Sequence, residues 1–102
     1  MHKLENIAEQ IRQDFEVRTE LRDEALKQTR QLTRACSLAI RAVHRKDLEI
    51  MEQHLAEAQS LVDKIKENLK DHPDLRYAGY TQDSLKEFVE ANVTCALVQN
   101  QA

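Results

Sequence analysis

The sequence ALKQTRQLTRACSLAIRAVHRK, residues 25–46, decides the fold, because its apolar side chains recur at the period of an α-helix. The same apolar stripe extends towards the amino terminus. Its members are Leu4, Ile7, Ile11, Phe15, Leu21, Ala25, Leu32, Ala39 and Val43. We therefore predict one long helix over residues 3–45, in which Arg18 interrupts the stripe and must snorkel or form an ion pair.

Two further helices are predicted after the first. Asp47 has the side chain of an N-cap and begins the second helix. Pro73 ends that helix, because the residue before a proline avoids the helical region. Thr81 is expected to cap the third helix. The predicted helices cover residues 3–45, 48–70 and 81–100, with an irregular link at 75–80.

The composition favours an all-α fold. The chain has one glycine, one proline and four aromatic residues, so the turn-rich, β-branched pattern of strands is missing. The short turn after the first helix predicts a long antiparallel helical hairpin plus a third helix, part of an α-helical bundle in a single domain over residues 1–102. Residues 91–98 are apolar on nearly all sides. We therefore expect another chain to cover them, or this sequence to be the N-terminal part of a longer protein.

The sequence also indicates a compartment. No secretory leader and no membrane-spanning apolar run is visible, so we expect a cytoplasmic protein without a membrane partner. Cys36 and Cys95 lack the spacing of a metal site. We expect both to be reduced thiols on apolar helix faces.

The net charge of −3 conceals a segregation of charge along the chain. Residues 25–46 carry six basic and no acidic side chains, whereas residues 1–24 and 47–102 are both net acidic. Five of the basic residues project to one side of the first helix: Lys27, Arg30, Arg34, Arg41 and Arg45. The arginines on this side of the helix span roughly 22 Å at 1.5 Å per residue. Guanidinium groups donate hydrogen bonds well to phosphate oxygens. The alternative is a solvated face whose arginines pair with acids on the second helix.

An acidic stripe is predicted on the third helix, where Asp83, Glu87, Glu90 and Thr94 share one side. Clustered carboxylates are the oxygen ligands that Mg²⁺ or Mn²⁺ prefers. A hydrated ion there could polarise a phosphodiester and supply a hydroxide nucleophile. The alternative is a plain solvated acidic face.

Other catalytic constellations are not suggested by the sequence. His44 and His54 have no partner at zinc spacing, and we interpret both as structural or surface residues. Gly79 alone cannot form a phosphate-binding loop, and no serine or cysteine nucleophile pairs with a histidine.

Three segments carry a resemblance to a known family: Arg22-Asp23-Glu24, then Ile40-Arg41-Ala42-Val43-His44-Arg45, and finally Leu85-Lys86-Glu87-Phe88-Val89-Glu90-Ala91. They resemble the N-terminal half of the translin family, meaning translin and translin-associated factor X, with archaeal translin-like proteins most similar. The last segment looks like the E-[FY]-V-E-A signature of the factor X branch. The resemblance covers most of this chain and about half of a typical member.

The resemblance implies helical protomers that assemble into closed oligomeric shells around single-stranded RNA or DNA. Members of the factor X branch and archaeal relatives act as metal-dependent endoribonucleases. Glu87 and Glu90 match the pair of glutamates that binds the catalytic Mg²⁺ in that family. The family's remaining acidic ligand comes from its C-terminal half, outside this sequence.

The leading hypothesis is therefore a single-stranded nucleic-acid-binding homo-oligomer that cleaves RNA when complete. The alternative is a non-catalytic helical oligomerisation module. A ferritin-like metal site is disfavoured, because no Glu-x-x-His occurs.

Overall fold

The computed structural model describes residues 2–100, and within them it contains helices and no strand. The helices are α1 (His2–His44), α2 (Leu48–Leu69), α3 (Pro73–Arg76) and α4 (Gly79–Gln99). The all-α prediction is confirmed, and the boundaries of the three predicted helices differ from those observed by at most two residues. Met1 and residues 101–102 of the predicted domain lie outside the described part. No helix within residues 2–100 is long and apolar enough to cross a bilayer.

The turn between α1 and α2 is made by three residues that reverse the chain. Lys46 has a φ of 64°, the left-handed conformation that ends many helices. The Asp47 backbone N–H donates to the Ala42 carbonyl at 2.9 Å, and the Asp47 side chain accepts from the Ile50 N–H at 3.3 Å. The predicted cap at Asp47 is therefore confirmed, and α1 and α2 form the expected antiparallel hairpin.

The segment between α2 and α4 differs from the prediction. The irregular link is only Tyr77 and Ala78 instead of residues 75–80, because Pro73 begins the one-turn helix α3 and Gly79 already lies in α4. Thr81 is not the cap of that helix. Its hydroxyl is buried and donates to the Leu75 carbonyl at 2.9 Å, so it joins α3 to α4.

The core lies where α1 packs between α2 and α4. Leu32 and Ala39 of α1, Ile65 of α2 and Ala91 of α4 have no exposed surface. Four of the nine buried positions on α1 are alanines, and α2 and α4 each bury one, which allows the helix axes to approach closely. The bundle is therefore held mainly by aliphatic contact between helices, with partly buried Tyr80 and Phe88 packed at its edge.

The amino-terminal part of α1 extends beyond the bundle, and the molecule measures 74 × 19 × 16 Å. We call residues 2–17 the arm. Leu4, Ile7, Ile11 and Phe15 are exposed along it, so the predicted stripe is covered only further along the helix. Arg18, at the base of the arm, forms an ion pair with Asp74 of α3, as expected for the residue that interrupts the stripe.

Removing a core side chain tests this packing. Ile65→Ala should lower the free energy of unfolding by about 2–5 kcal/mol, because the cavity adds to the lost transfer free energy. Urea unfolding followed by circular dichroism measures the change. Val89→Ala, at a position that is 60% exposed, is the control and should alter stability by less than about 0.5 kcal/mol. Equal effects of the two changes would contradict the assigned core.

Candidate nucleic-acid interface

The basic residues of α1 all lie on its solvent side, away from the buried stripe. Each of the five is exposed: Lys27, Arg30, Arg34, Arg41 and Arg45. We call this set the basic row. Its orientation follows from the helix period, since burial of Leu32, Ala39 and Val43 against the other helices turns the opposite side outward.

The basic row forms no ion pair within residues 2–100, in contrast to the arginines nearer the amino terminus. Arg12 pairs with both Glu9 and Glu16, and Arg18 pairs with Asp74. Within the described residues, the arginines of the row therefore form no ion pair with acids of α2, in contrast to that alternative. Four guanidinium groups on one helix face keep their donors available for an external anion.

The acidic residues of α4 lie beside α1, in a groove between the two helices. Glu87 and Glu90 are exposed, and both line this groove, which has a volume of about 260 Å³. The α1 side of the groove is formed by Thr33, Cys36, Ser37 and Ile40. Lys86 lies 3.9 Å from Glu90, so the charge of Glu90 is partly compensated along its own helix.

The basic row meets the acidic stripe at Arg30. A neighbouring depression is lined by Arg30, Asp83 and Glu87, together with Tyr80. The Tyr80 hydroxyl is buried there and has no hydrogen-bond partner in the described part of the chain. A phosphate held by Arg30 would therefore lie next to the groove that contains Glu87.

The two carboxylates alone form the candidate metal site. Within residues 2–100 no group of three or more His, Cys, Asp or Glu side chains is placed to hold an ion, so Asp83 does not join the pair. Mg²⁺ is commonly bound through one or two carboxylates, with water and substrate phosphates completing its shell. The carboxylate oxygens of Glu87 and Glu90 are ligands of this kind.

The other predicted residues lie away from this groove or take no part in it. Thr94 is half-buried and does not line the groove, although it shares the acidic side of α4. His44 is exposed beside the hairpin turn, and His54 is half-buried on α2.

Sequence reasoning missed the α1 side of the groove. Thr33 and Ser37 on α1, and Tyr80 of α4 in the neighbouring depression, carry no signal that separates them from ordinary positions on an amphipathic helix. Their role depends on how α1 and α4 cross, which the periodicity of either helix alone does not contain.

Cys36 is buried at the bottom of this region, where α1 contacts α4. Burial, followed by the nearby charge of Glu87 and the proximity of Cys95, raises the pKa of the Cys36 thiol to about 11. Burial also raises the pKa of Cys95. Both thiols are free and buried, and burial favours their protonated, less reactive form.

Comparison with known proteins gives no family for the chain: no family model, no curated protein and no solved structure matches it.

The raised pKa of Cys36 makes alkaline stability depend on this thiol. Between about pH 9 and pH 11 the unfolded chain ionises while the folded chain stays protonated, so the free energy of unfolding falls as pH rises. Cys36→Ala should make that fall shallower in urea titrations at about pH 8 and about pH 10.5. Ser37→Ala, which alters the same groove without removing a titrating group, should keep the wild-type slope. An unchanged slope in Cys36→Ala would contradict the assignment.

Proposed function

We propose that this protein binds single-stranded nucleic acid along the basic row. The observation that carries the proposal is the exposure of all five cations without an ion pair in the described residues. Unpaired cations repel one another along a helix, and a polyanion relieves that repulsion while releasing its counterions. The general match of Arg30, Arg34, Arg41 and Arg45 to the basic helix of the translin family, which the sequence resembles, supports the same ligand.

The mode of binding follows from the chemistry of the row. Its arginines span roughly 22 Å, which is long enough to contact several phosphates of one strand. No aromatic side chain is interleaved with them, so base stacking contributes little and selectivity among sequences should be weak. We expect contacts mainly with the phosphate backbone, and either RNA or DNA satisfies them.

We further propose that Glu87 and Glu90 serve metal-dependent cleavage of RNA. Each carboxylate would offer oxygen ligands to Mg²⁺, or to Mn²⁺, at the groove beside the basic row. When bound, the ion supplies Lewis-acid polarisation of a phosphodiester. Arg30, which lines the adjoining depression with Glu87, would hold a backbone phosphate close to the two carboxylates.

Removing charges from the basic row tests binding. Arg34→Gln with Arg41→Gln should weaken binding of a labelled single-stranded RNA by about 10- to 100-fold in fluorescence anisotropy. The slope of log affinity against log salt should fall by about 1.4, since each phosphate contact to a single strand contributes about 0.7. The matched control, Arg12→Gln with Lys70→Gln, removes two cations that are already paired with glutamates. Equal weakening by both double variants would contradict a specific role for the row.

Removing one carboxylate separates cleavage from binding. Glu87→Gln should reduce Mg²⁺-dependent cleavage of the same RNA by at least about 100-fold, because a neutral amide is a poor ligand for the ion. The affinity for RNA should change by less than about twofold, since Glu87 lies outside the basic row. Glu52→Gln, an exposed carboxylate on α2, is the control and should affect neither. Equal loss of cleavage and binding would argue against the metal-ligand role.

The second candidate function is a non-catalytic helical assembly module. It is favoured by exposed apolar side chains on the outer side of α4, where Val89 and Leu97 are each 60% exposed and Val93 is 53% exposed. Added salt distinguishes the two functions. It weakens binding to phosphates, whereas an assembly held by apolar contacts persists or tightens. In either case, two free cysteines fit the reducing, cytoplasmic setting that we propose.

A further inference from the structure

The arm carries a continuous row of large apolar side chains that nothing else within residues 2–100 covers. Leu4 is 69% exposed, Ile7 58%, Ile11 64% and Phe15 71%. An apolar row of this length is unusual on the surface of a monomer and commonly marks an interaction surface. We call these four side chains the arm stripe.

The arm stripe continues an interface that already exists in the molecule. Leu4 and Ile11 are spaced by multiples of seven residues from Ala25, Leu32 and Ala39, which are buried under α2 and α4. The helical period turns these positions by about 20° for every seven residues, so the faces of the two parts of α1 overlap in part, and helices already pack on the carboxyl-terminal one. A further helix is the natural cover for the uncovered part.

The ion pairs of Arg12 do not cover the side of the arm that carries the arm stripe. Arg12 pairs with Glu9 and Glu16 on the opposite side of the helix. Beside the stripe lie Lys3 and Asp14, which carry opposite charges and are separated by about three turns. A partner of the same sequence can satisfy both charges only when it runs in the opposite direction.

We infer that the arm pairs with the arm of a second copy of this chain in an antiparallel arrangement. Leu4 then meets Phe15 of the second copy, and Ile7 meets Ile11 of the second copy. By the two-fold symmetry each apolar contact occurs twice. Lys3 approaches Asp14 of the second copy, whereas a parallel pair would place the two Asp14 carboxylates together.

This pairing is independent of the proposed nucleic-acid binding, because the arm contains no residue of the basic row. It also accounts for how the arm is held in helical form. The arm extends a helix that is already nucleated in the bundle, and a second arm adds the tertiary packing that supplies most helical stability. The contact is small, so we expect a dissociation constant in about the micromolar range.

Sedimentation velocity over a range of protein concentrations tests the pairing. The wild-type chain should convert from monomer to dimer, and Ile7→Glu with Ile11→Glu should raise the dissociation constant by at least about 100-fold. The matched control is Asn6→Glu with Gln13→Glu, which adds the same two charges on the other side of the arm. It should dimerise like the wild type. A wild-type chain that stays monomeric, or a control that dissociates equally, would overturn the inference.

Disulfide trapping tests the direction of the pair. In a background with Cys36→Ala and Cys95→Ala, Leu4→Cys and Phe15→Cys chains should crosslink when mixed and much less when oxidised alone. Crosslinking of Leu4→Cys with itself would indicate a parallel pair and overturn the antiparallel arrangement. Loss of the dimer in Val93→Glu, with no effect of the arm substitutions, would assign the contact to α4 instead.

Discussion

The packing of one face of α1 against α2 and α4 is the constraint on which the remaining structure depends. Leu32 and Ala39 are fully buried between the two shorter helices, and Ile65 and Ala91 fill the facing positions. Because so many contact residues are small, the stabilisation comes from close approach over a long seam more than from a few large anchors.

That seam determines where charge is placed. Once the apolar face of α1 is buried, the arginines on its other side are exposed to solvent, and Arg30 alone of the basic row lines the depression with Asp83 and Glu87 in the described residues. No acid of α2 forms an ion pair with these arginines in the described residues, and Glu87 of α4 lies to the side, at the groove. The separation between a free basic row and an adjacent carboxylate pair is thus a consequence of helix period and helix crossing together. The same crossing buries Cys36 next to Glu87 and so raises the pKa of the Cys36 thiol.

What the sequence predicted, and what it did not, follows from the range of each interaction. The Asp47 cap was predictable because its partner, the Ile50 N–H, is three residues away. Thr81 was assigned a cap and instead bonds the Leu75 carbonyl, a partner that exists only after Pro73 has begun α3. The outward direction of the basic row was predictable from periodicity alone. The groove residues Thr33 and Ser37 were not, because their neighbours belong to a helix about fifty residues away in sequence.

The arm is a second feature whose environment could not be predicted from the sequence. Periodicity shows that a helix has an apolar face, but it does not show whether that face is buried. Leu4 and Leu32 both belong to the apolar stripe of α1, yet Leu4 is 69% exposed and Leu32 is fully buried. How much of the apolar face of α1 is buried depends on the lengths of the helices that pack on it. Helix α1 has 43 residues, whereas α2 and α4 have 22 and 21. Two helices of that length, packed side by side on α1 from the hairpin turn onward, reach only about half of it. The uncovered half therefore retains a helix-binding face, and the interactions available to this protein depend as much on the mismatch in helix length as on its charges.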